Sequence, residues 1–258
     1  MKILFIGDTV GKPGRRAVTR FLPDLKKKIA ADFVILNAEN LAGGVATTEK
    51  TLREMENAGV DFFTGGNHSF HDLDVFAGNR QNFIRPANFR DGAPGKGFEI
   101  CEIAGEKLAI LNFLGNIFIK NPTTPVFDEM EKCLQKCAGV ENILVDFHAE
   151  ATSEKAAFFW KFSRQISAFI GTHTHAPTAD AAIFDGAFFQ TDIGMTGPQK
   201  SIIGLEISSG IENFTNPIGK KKFKVATGPA VFRAVALEIS GGKTRHFEHF
   251  TFFENDEK

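Results

Sequence analysis

The sequence contains no tyrosine, although it contains 28 phenylalanines. That excludes any phenolic acid, base or nucleophile. Tryptophan occurs once, and cysteine three times, as Cys101, Cys133 and Cys137. An odd cysteine count without a secretion signal argues against a disulfide framework. Cys133 and Cys137 stand four apart in a segment of helical character, with no histidine nearby, and read as packing residues rather than zinc ligands. Neither charge sign is in excess: the formal net charge is −1, so bulk electrostatics point to neither nucleic acid nor membrane. Long apolar runs are missing too. The opening run stops at Gly7-Asp8, too short for a signal core or a membrane span, and the expected location is the cytoplasm. No repeat and no low-complexity linker interrupt the chain. Lys26-Lys27-Lys28 reads as a helix end suited to the dipole, and Lys220-Lys221-Lys222 as a solvated loop.

What remains is an ordinary globular composition. With 258 residues, 43% of them hydrophobic, the chain can bury a large core, and a single domain over residues 1–258 is expected. Lys2 to Ile6 reads as a strand, 7–14 as a loop, and Arg15 to Ala30 as a helix that Pro23 can interrupt. Phe33 to Leu36 is a second strand, Thr48 to Asn57 a helix stopped at Gly59, and Val60 to Phe63 a third strand. Phe98 to Ile103 and Lys107 to Leu111 read as a hairpin around Gly105, and Asp128 to Cys137 as a helix. Ile143 to Phe147 is a strand, Thr152 to Phe162 a helix, and Ala168 to Ile170 a strand. Ala181 to Phe184, Phe188 to Ile193, Val231 to Ile239 and Phe247 to Phe252 read as further strands. Continuous apolar strands alternating with helices indicate an α/β fold with sheets covered by helices.

Five of these strands end in residues that bind metals or move protons: Asp8, Glu39-Asn40, Asn67-His68, His148, and His173 with His175. The carboxyl ends of strands are where α/β sheets bind ligands. His173 and His175, spaced i and i+2, would face one side of an extended segment. Each also has a bland reading. Asp8 can bond a turn, Glu39-Asn40 can cap a helix, His148 can be a satisfied core histidine, and His173 and His175 can be loop residues facing water. Together they point to metal. Two carboxylates, two amides and three or four imidazoles exceed what one tetrahedral zinc takes. They suit two divalent ions ~3.5–4 Å apart, sharing a carboxylate and clamping a phosphoryl group for in-line attack by a bridging water.

Gly7-Asp8, a second strand-end acid, Gly66-Asn67-His68, His148 and Gly171-Thr172-His173-Thr174-His175 resemble the five blocks of the calcineurin-like metallophosphoesterases. More narrowly, Gly7 to Gly11, Asn37 to Asn40, Arg85 to Asn88, Asp146 to Lys155 and Thr191 to Gly197 resemble the YmdB-like branch. Val10 stands where the superfamily usually has a histidine, and Glu39 where it usually has aspartate; the YmdB-like branch accepts both. The resemblance implies an α/β/β/α sandwich with mixed sheets. It implies one metal held by Asp8, Glu39, Asn40 and His175, and a second held by Glu39, Asn67, His148 and His173, with Glu39 bridging. His68 would assist the leaving oxygen, and His71 is left as a loop histidine. Nitrogen and oxygen ligands suit iron, manganese or zinc; the resemblance favours two irons. The implied reaction is hydrolysis of cyclic nucleotides, 2′,3′-cyclic or 3′,5′-cyclic. Alternatives are a phosphomonoesterase or 5′-nucleotidase on the same site, a metal-loaded regulatory partner of RNA-processing machinery, and a mononuclear zinc hydrolase. A homo-oligomer is expected.

Overall fold

A computed structural model describes the chain except residues 78–79, 91, 217, 220–222 and 256–258. The first part alternates β1 (Lys2–Ile6), α1 (Gly11–Ile29), β2 (Phe33–Asn37), α2 (Glu49–Asn57), β3 (Phe62–Thr64), α3 (Asp74–Ala77) and β4 (Phe83–Ile84). The hairpin of β5 (Phe98–Ile103) and β6 (Glu106–Leu114) leads to α4 (Val126–Lys136), β7 (Asn142–His148), α5 (Thr152–Phe162) and β8 (Ala168–Thr172). Then come β9 (Ala182–Phe184), β10 (Ala187–Gln190), β11 (Gly197–Pro198), α6 (Ile207–Thr215), β12 (Ala230–Ser240) and β13 (Lys243–Phe253).

The strands form two mixed sheets. One has the order β11-β12-β1-β2-β3-β4, with β13 on β12; the other runs β5-β6-β7-β8-β10-β9. β1, β2 and β3 pair in parallel, as do β6, β7 and β8, while β12 pairs antiparallel with β1. Alternation of side chains along each strand explains the layers. Leu4 and Ile6 pack with Val18, Leu22 and Leu52 on the helix side. Ile3 and Phe5 turn the other way and meet Ile110, Leu144 and Ile170 of the second sheet. On that sheet's far side Val145 and Phe147 pack with Met130 of α4 and Phe158 of α5. Strands buried on both faces must read as continuous apolar runs, as these do. The result is the α/β/β/α sandwich. Cys133 and Cys137 are buried in the α4 layer, as packing residues. No helix among the described residues is long and apolar enough to cross a membrane.

Several boundaries differ from the sequence reading. The 7–14 loop is shorter, because α1 begins at Gly11 rather than Arg15. Pro13 lies in its first turn, where a missing N–H costs nothing. Pro23 does not interrupt the helix, since Leu22 and Leu25 are buried on either side of it and packing outweighs local preference. The strand expected over Phe188 to Ile193 ends at Gln190. Helix α6 was not anticipated. Its faces carry exposed Ile207 and Ile211, so it lacks the wide buried stripe that marks a core helix. The lysine run 220–222 lies outside the described residues.

Candidate metal centre at the facing strand ends

The carboxyl ends of β1, β2 and β3 in one sheet and β7 and β8 in the other meet along one edge. Glu39, Asn40, Asn67, His148, His173 and His175 line a cavity of about 260 Å³ there. Asp8 is fully buried beside it, with Oδ1 3.6 Å from His148 Nδ1 and 3.9 Å from His175 Nε2. Glycines allow this crowding. A Cβ on Gly7 would lie 1.9 Å from the Gly194 carbonyl oxygen, and one on Gly66 would lie 2.6 Å from both Glu39 Oε2 and His148 Nε2. A larger groove, about 1050 Å³, runs past Gln199, Glu206 and Lys224 and holds none of these donors.

The donors fall into two groups. His148 Nε2 is 3.0 Å from His173 Nδ1, 3.1 Å from Asn67 Oδ1 and 3.6 Å from Glu39 Oε1. His175 Nε2 is 3.2 Å from Asn40 Oδ1. Donors bound at about 2.1 Å on neighbouring corners of an octahedron stand about 3.0 Å apart, so the short spacings match shared coordination. Among the described residues no three His, Cys, Asp or Glu side chains are already closed about one point as a finished cage.

Hydrogen bonds assign the ring protons. Thr172 Oγ1 donates its single proton to Asp146 Oδ1 at 2.7 Å, so it accepts from His148 Nδ1 at 3.0 Å. His175 Nδ1 donates to the Ile203 carbonyl at 2.7 Å. His173 Nε2 stands 3.1 Å from the Glu150 carboxylate. Each imidazole therefore turns its lone pair inward, as metal-bound histidines do. Lone pairs of His148 and His173 facing each other at 3.0 Å repel unless a positive centre lies between them. Three buried side-chain oxygens among the described residues have no hydrogen-bond partner, and two of them are Asp8 Oδ1 and Glu39 Oε2. Orphaned carboxylate oxygens beside inward lone pairs fit metal ions.

The electrostatics agree. Burial, with the charge of Asp192, raises Asp8 to about 7, and burial raises Glu39 well above the carboxylate range. Burial pushes His148 well down, lowers His173 to about 3, and lowers His175. A bound cation reverses such carboxylate shifts, because its charge outweighs the desolvation.

His173 and His175 reach the cavity by a different route from the one their spacing suggested. β8 ends at Thr172, and both histidines have left-handed backbones, φ 100° and 64°. The turn is held from below: the Thr174 N–H donates to Asp192 Oδ2 at 3.0 Å and the His173 N–H to Asp8 Oδ2 at 3.3 Å. Lys155, itself fully buried, bonds the Thr172 carbonyl at 2.8 Å and Asp192 Oδ2 at 3.1 Å. Asn67 and His68 share a tight turn, so both reach the cavity although they are adjacent. The His68 N–H donates to Glu39 Oε1 at 2.7 Å, and His68 Nδ1 lies 3.3 Å from His71 Nε2. His71 lies in a loop, as expected, and touches His68 there. The supporting groups Asp146, Thr172, Lys155, Asp192 and Glu150 had no assigned role in the sequence reading. One signal was visible: Asp146 is a charge inside the apolar strand Ile143 to Phe147, which is costly unless bonded. It accepts from Thr172, Thr64 and Asn37.

The chain as a whole is similar to known proteins. A model of the YmdB-like protein family matches residues 4–250. A Bacillus subtilis (strain 168) protein described as a 2′,3′-cyclic-nucleotide 2′-phosphodiesterase is 39% identical over 242 residues, which is 93% of this chain and 91% of that one. A crystal structure of a hypothetical protein from Thermus thermophilus superposes with a TM-score of 0.93 at 38% identity, covering 99% of this chain and 100% of that one. A Mycoplasma pneumoniae structure described as a novel phosphatase gives a TM-score of 0.93 at 33% identity, covering 100% and 95% of the two chains.

Proposed function

The chain belongs to the YmdB-like protein family, and from that premise we propose that it is a binuclear metal-dependent phosphodiesterase acting on cyclic nucleotides. The observation that supports it most is the pair of partnerless buried oxygens, Asp8 Oδ1 and Glu39 Oε2, set among inward-facing imidazole lone pairs. In this reading Asp8, Glu39, Asn40 and His175 hold one ion. Glu39, Asn67, His148 and His173 hold the other, so Glu39 serves both. Metallophosphoesterase-type families imply divalent metal ions; an all-nitrogen-and-oxygen set suits iron, manganese or zinc, and we take two irons as the native pair. Bound there, the ions supply Lewis-acid charge at the phosphoryl group and a more acidic water.

The chain's own residues do the rest. Thr172, Ile203 and Glu150 fix which ring nitrogen of each histidine faces the cavity. Asn40 Nδ2 donates to the Gly44 carbonyl at 2.8 Å, which aims its Oδ1 at His175. His68 stands on the cavity wall without belonging to either group. Burial, with the charges of His71 and His175, lowers it to about 4. The anionic phosphodiester raises its proton affinity, and a proton taken up on the ring is the one it would pass to the leaving ribose oxygen as general acid. The cyclic-nucleotide class follows the name of the Bacillus relative. The name of the Mycoplasma structure favours the second reading, a phosphomonoesterase. The metal-loaded protein is expected to show a higher kcat/KM for adenosine 2′,3′-cyclic phosphate than for adenosine 5′-monophosphate; the reverse order would establish the monoesterase.

Asn40→Ala tests the first group. It should weaken metal binding there by at least the roughly 10–100-fold that losing an outer-shell partner costs. Asn88→Ala is the control. Asn88 is clipped to the backbone of Leu114 through both amide atoms, at 2.7 and 2.9 Å, away from the donors. It should keep both ions. Elemental analysis after dialysis reads both variants, and unchanged metal in Asn40→Ala would reduce Asn40 to a loop residue bonded to Gly44.

A further inference from the structure

The cavity lining is of two kinds. One part, its floor, is the polar donor set, and another is an apolar wall of Val10, Ile203, Leu205, Phe223 and Val225. Backbone contacts hold the two segments of the wall together. Leu205 bridges to Val225, the Glu206 N–H donates to the Lys224 carbonyl at 2.8 Å, and the Ala226 N–H donates to the Gly204 carbonyl at 2.9 Å. Val225 fills a notch left by two glycines: a Cβ would lie 2.7 Å from Val225 Cγ2 on Gly44 and 3.0 Å from Val225 Cγ1 on Gly11. The Ile203 carbonyl accepts from His175 Nδ1, which ties the wall to the donors.

Phe223 is the one phenyl ring among the described residues that line this cavity. It is 60% exposed, although the chain buries most of its phenylalanines in the two sheet layers. Two residues ahead of Val225, it contributes to the same wall. An apolar ring left open beside a polar phosphoryl site suits a ligand with an anionic end and a flat apolar end. A nucleotide is such a ligand, and a base stacks on any aromatic face.

We propose that Phe223 is the base-stacking platform of the site, which makes the enzyme select nucleotides over base-free phosphodiesters. The inference rests on the phosphodiesterase reading. It adds a specificity residue that neither metal group contains.

The test uses the metal-loaded full chain, Phe223→Ala and Phe223→Trp, with two substrates: adenosine 2′,3′-cyclic phosphate and ethylene cyclic phosphate, which has no base. The ratio of kcat/KM between them should fall about tenfold in Phe223→Ala, within the range that removing a stacking ring produces. The fall should reside in KM, and Phe223→Trp should restore the ratio. An unchanged ratio would overturn the inference and leave the phosphodiesterase reading intact. If the wild-type protein hydrolyses neither substrate, that reading fails, and calorimetric binding of adenosine 2′-monophosphate against inorganic phosphate decides Phe223. Tighter binding of the nucleotide that disappears in Phe223→Ala supports the platform. Equal binding of the two in the wild type overturns it.

Discussion

His68→Ala is expected to lower kcat on a nucleoside 2′,3′-cyclic phosphate by roughly 10²–10⁴-fold, the usual contribution of a positioned acid or base. Both metal ions should remain bound. The side chain belongs to neither donor group, and the contact that steadies Glu39 comes from the His68 backbone N–H, which alanine keeps. The loss should depend on the leaving group. A ribose alkoxide leaves poorly without a proton, so nucleotide substrates should suffer most. Nitrophenolate leaves unaided, so bis-p-nitrophenyl phosphate should suffer least. An equal loss on both would make His68 a stabiliser of phosphoryl charge. Loss of metal would make it a ligand and overturn its assignment.

Lys155→Met should be the most destabilising single change beneath the site. Lys155 and Asp192 are both fully buried and 3.1 Å apart. Removing one partner of a buried pair typically costs about 3–5 kcal/mol, because the other charge is left uncompensated. Here the cost should reach function as well. Asp192 holds the Thr174 N–H through Oδ2 and the Gly194 N–H through Oδ1, and Lys155 holds the Thr172 carbonyl. Together they pin the left-handed turn that carries His173 and His175. Urea denaturation should show the lowered midpoint, and elemental analysis a weakened metal content. Lys155→Met combined with Asp192→Asn should recover part of the stability, since no bare charge remains. A midpoint change equivalent to less than about 1 kcal/mol in the single variant would contradict a paired, dry site.

Much of the candidate site was legible because its donors sit where short apolar runs stop, and such runs are local. Asp8, Glu39, Asn67 and His148 each lie at or within about three residues of the end of a strand that periodicity alone can find. The helix over Thr152–Phe162 and the turn at Gly105 are local for the same reason. The two-sheet division was not in the periodicity. Pairing of β1 with β12 joins Ile3 to Leu237, and no local pattern encodes so distant a partner; here it was the family resemblance that indicated the sandwich. The His173–His175 turn escaped because its left-handed backbone depends on Asp8, Lys155 and Asp192, which come from three other segments. The contact of His71 with His68 escaped because it needs a turn geometry that spacing does not specify. Asp146 stood out as a charge inside an apolar strand, but its role and that of Glu150 needed the hydrogen bonds that assign the faces of His148 and His173.

The central claim is a site for two ions bridged by Glu39, and the most direct measurement is the metal content of the full chain, purified without added metal and then loaded to saturation. The account predicts two ions per chain, with His148→Ala weakening the one shared with Asn67 and His173 more than the one shared with Asp8 and His175. A stable stoichiometry of one ion per chain with full phosphodiesterase activity would contradict it.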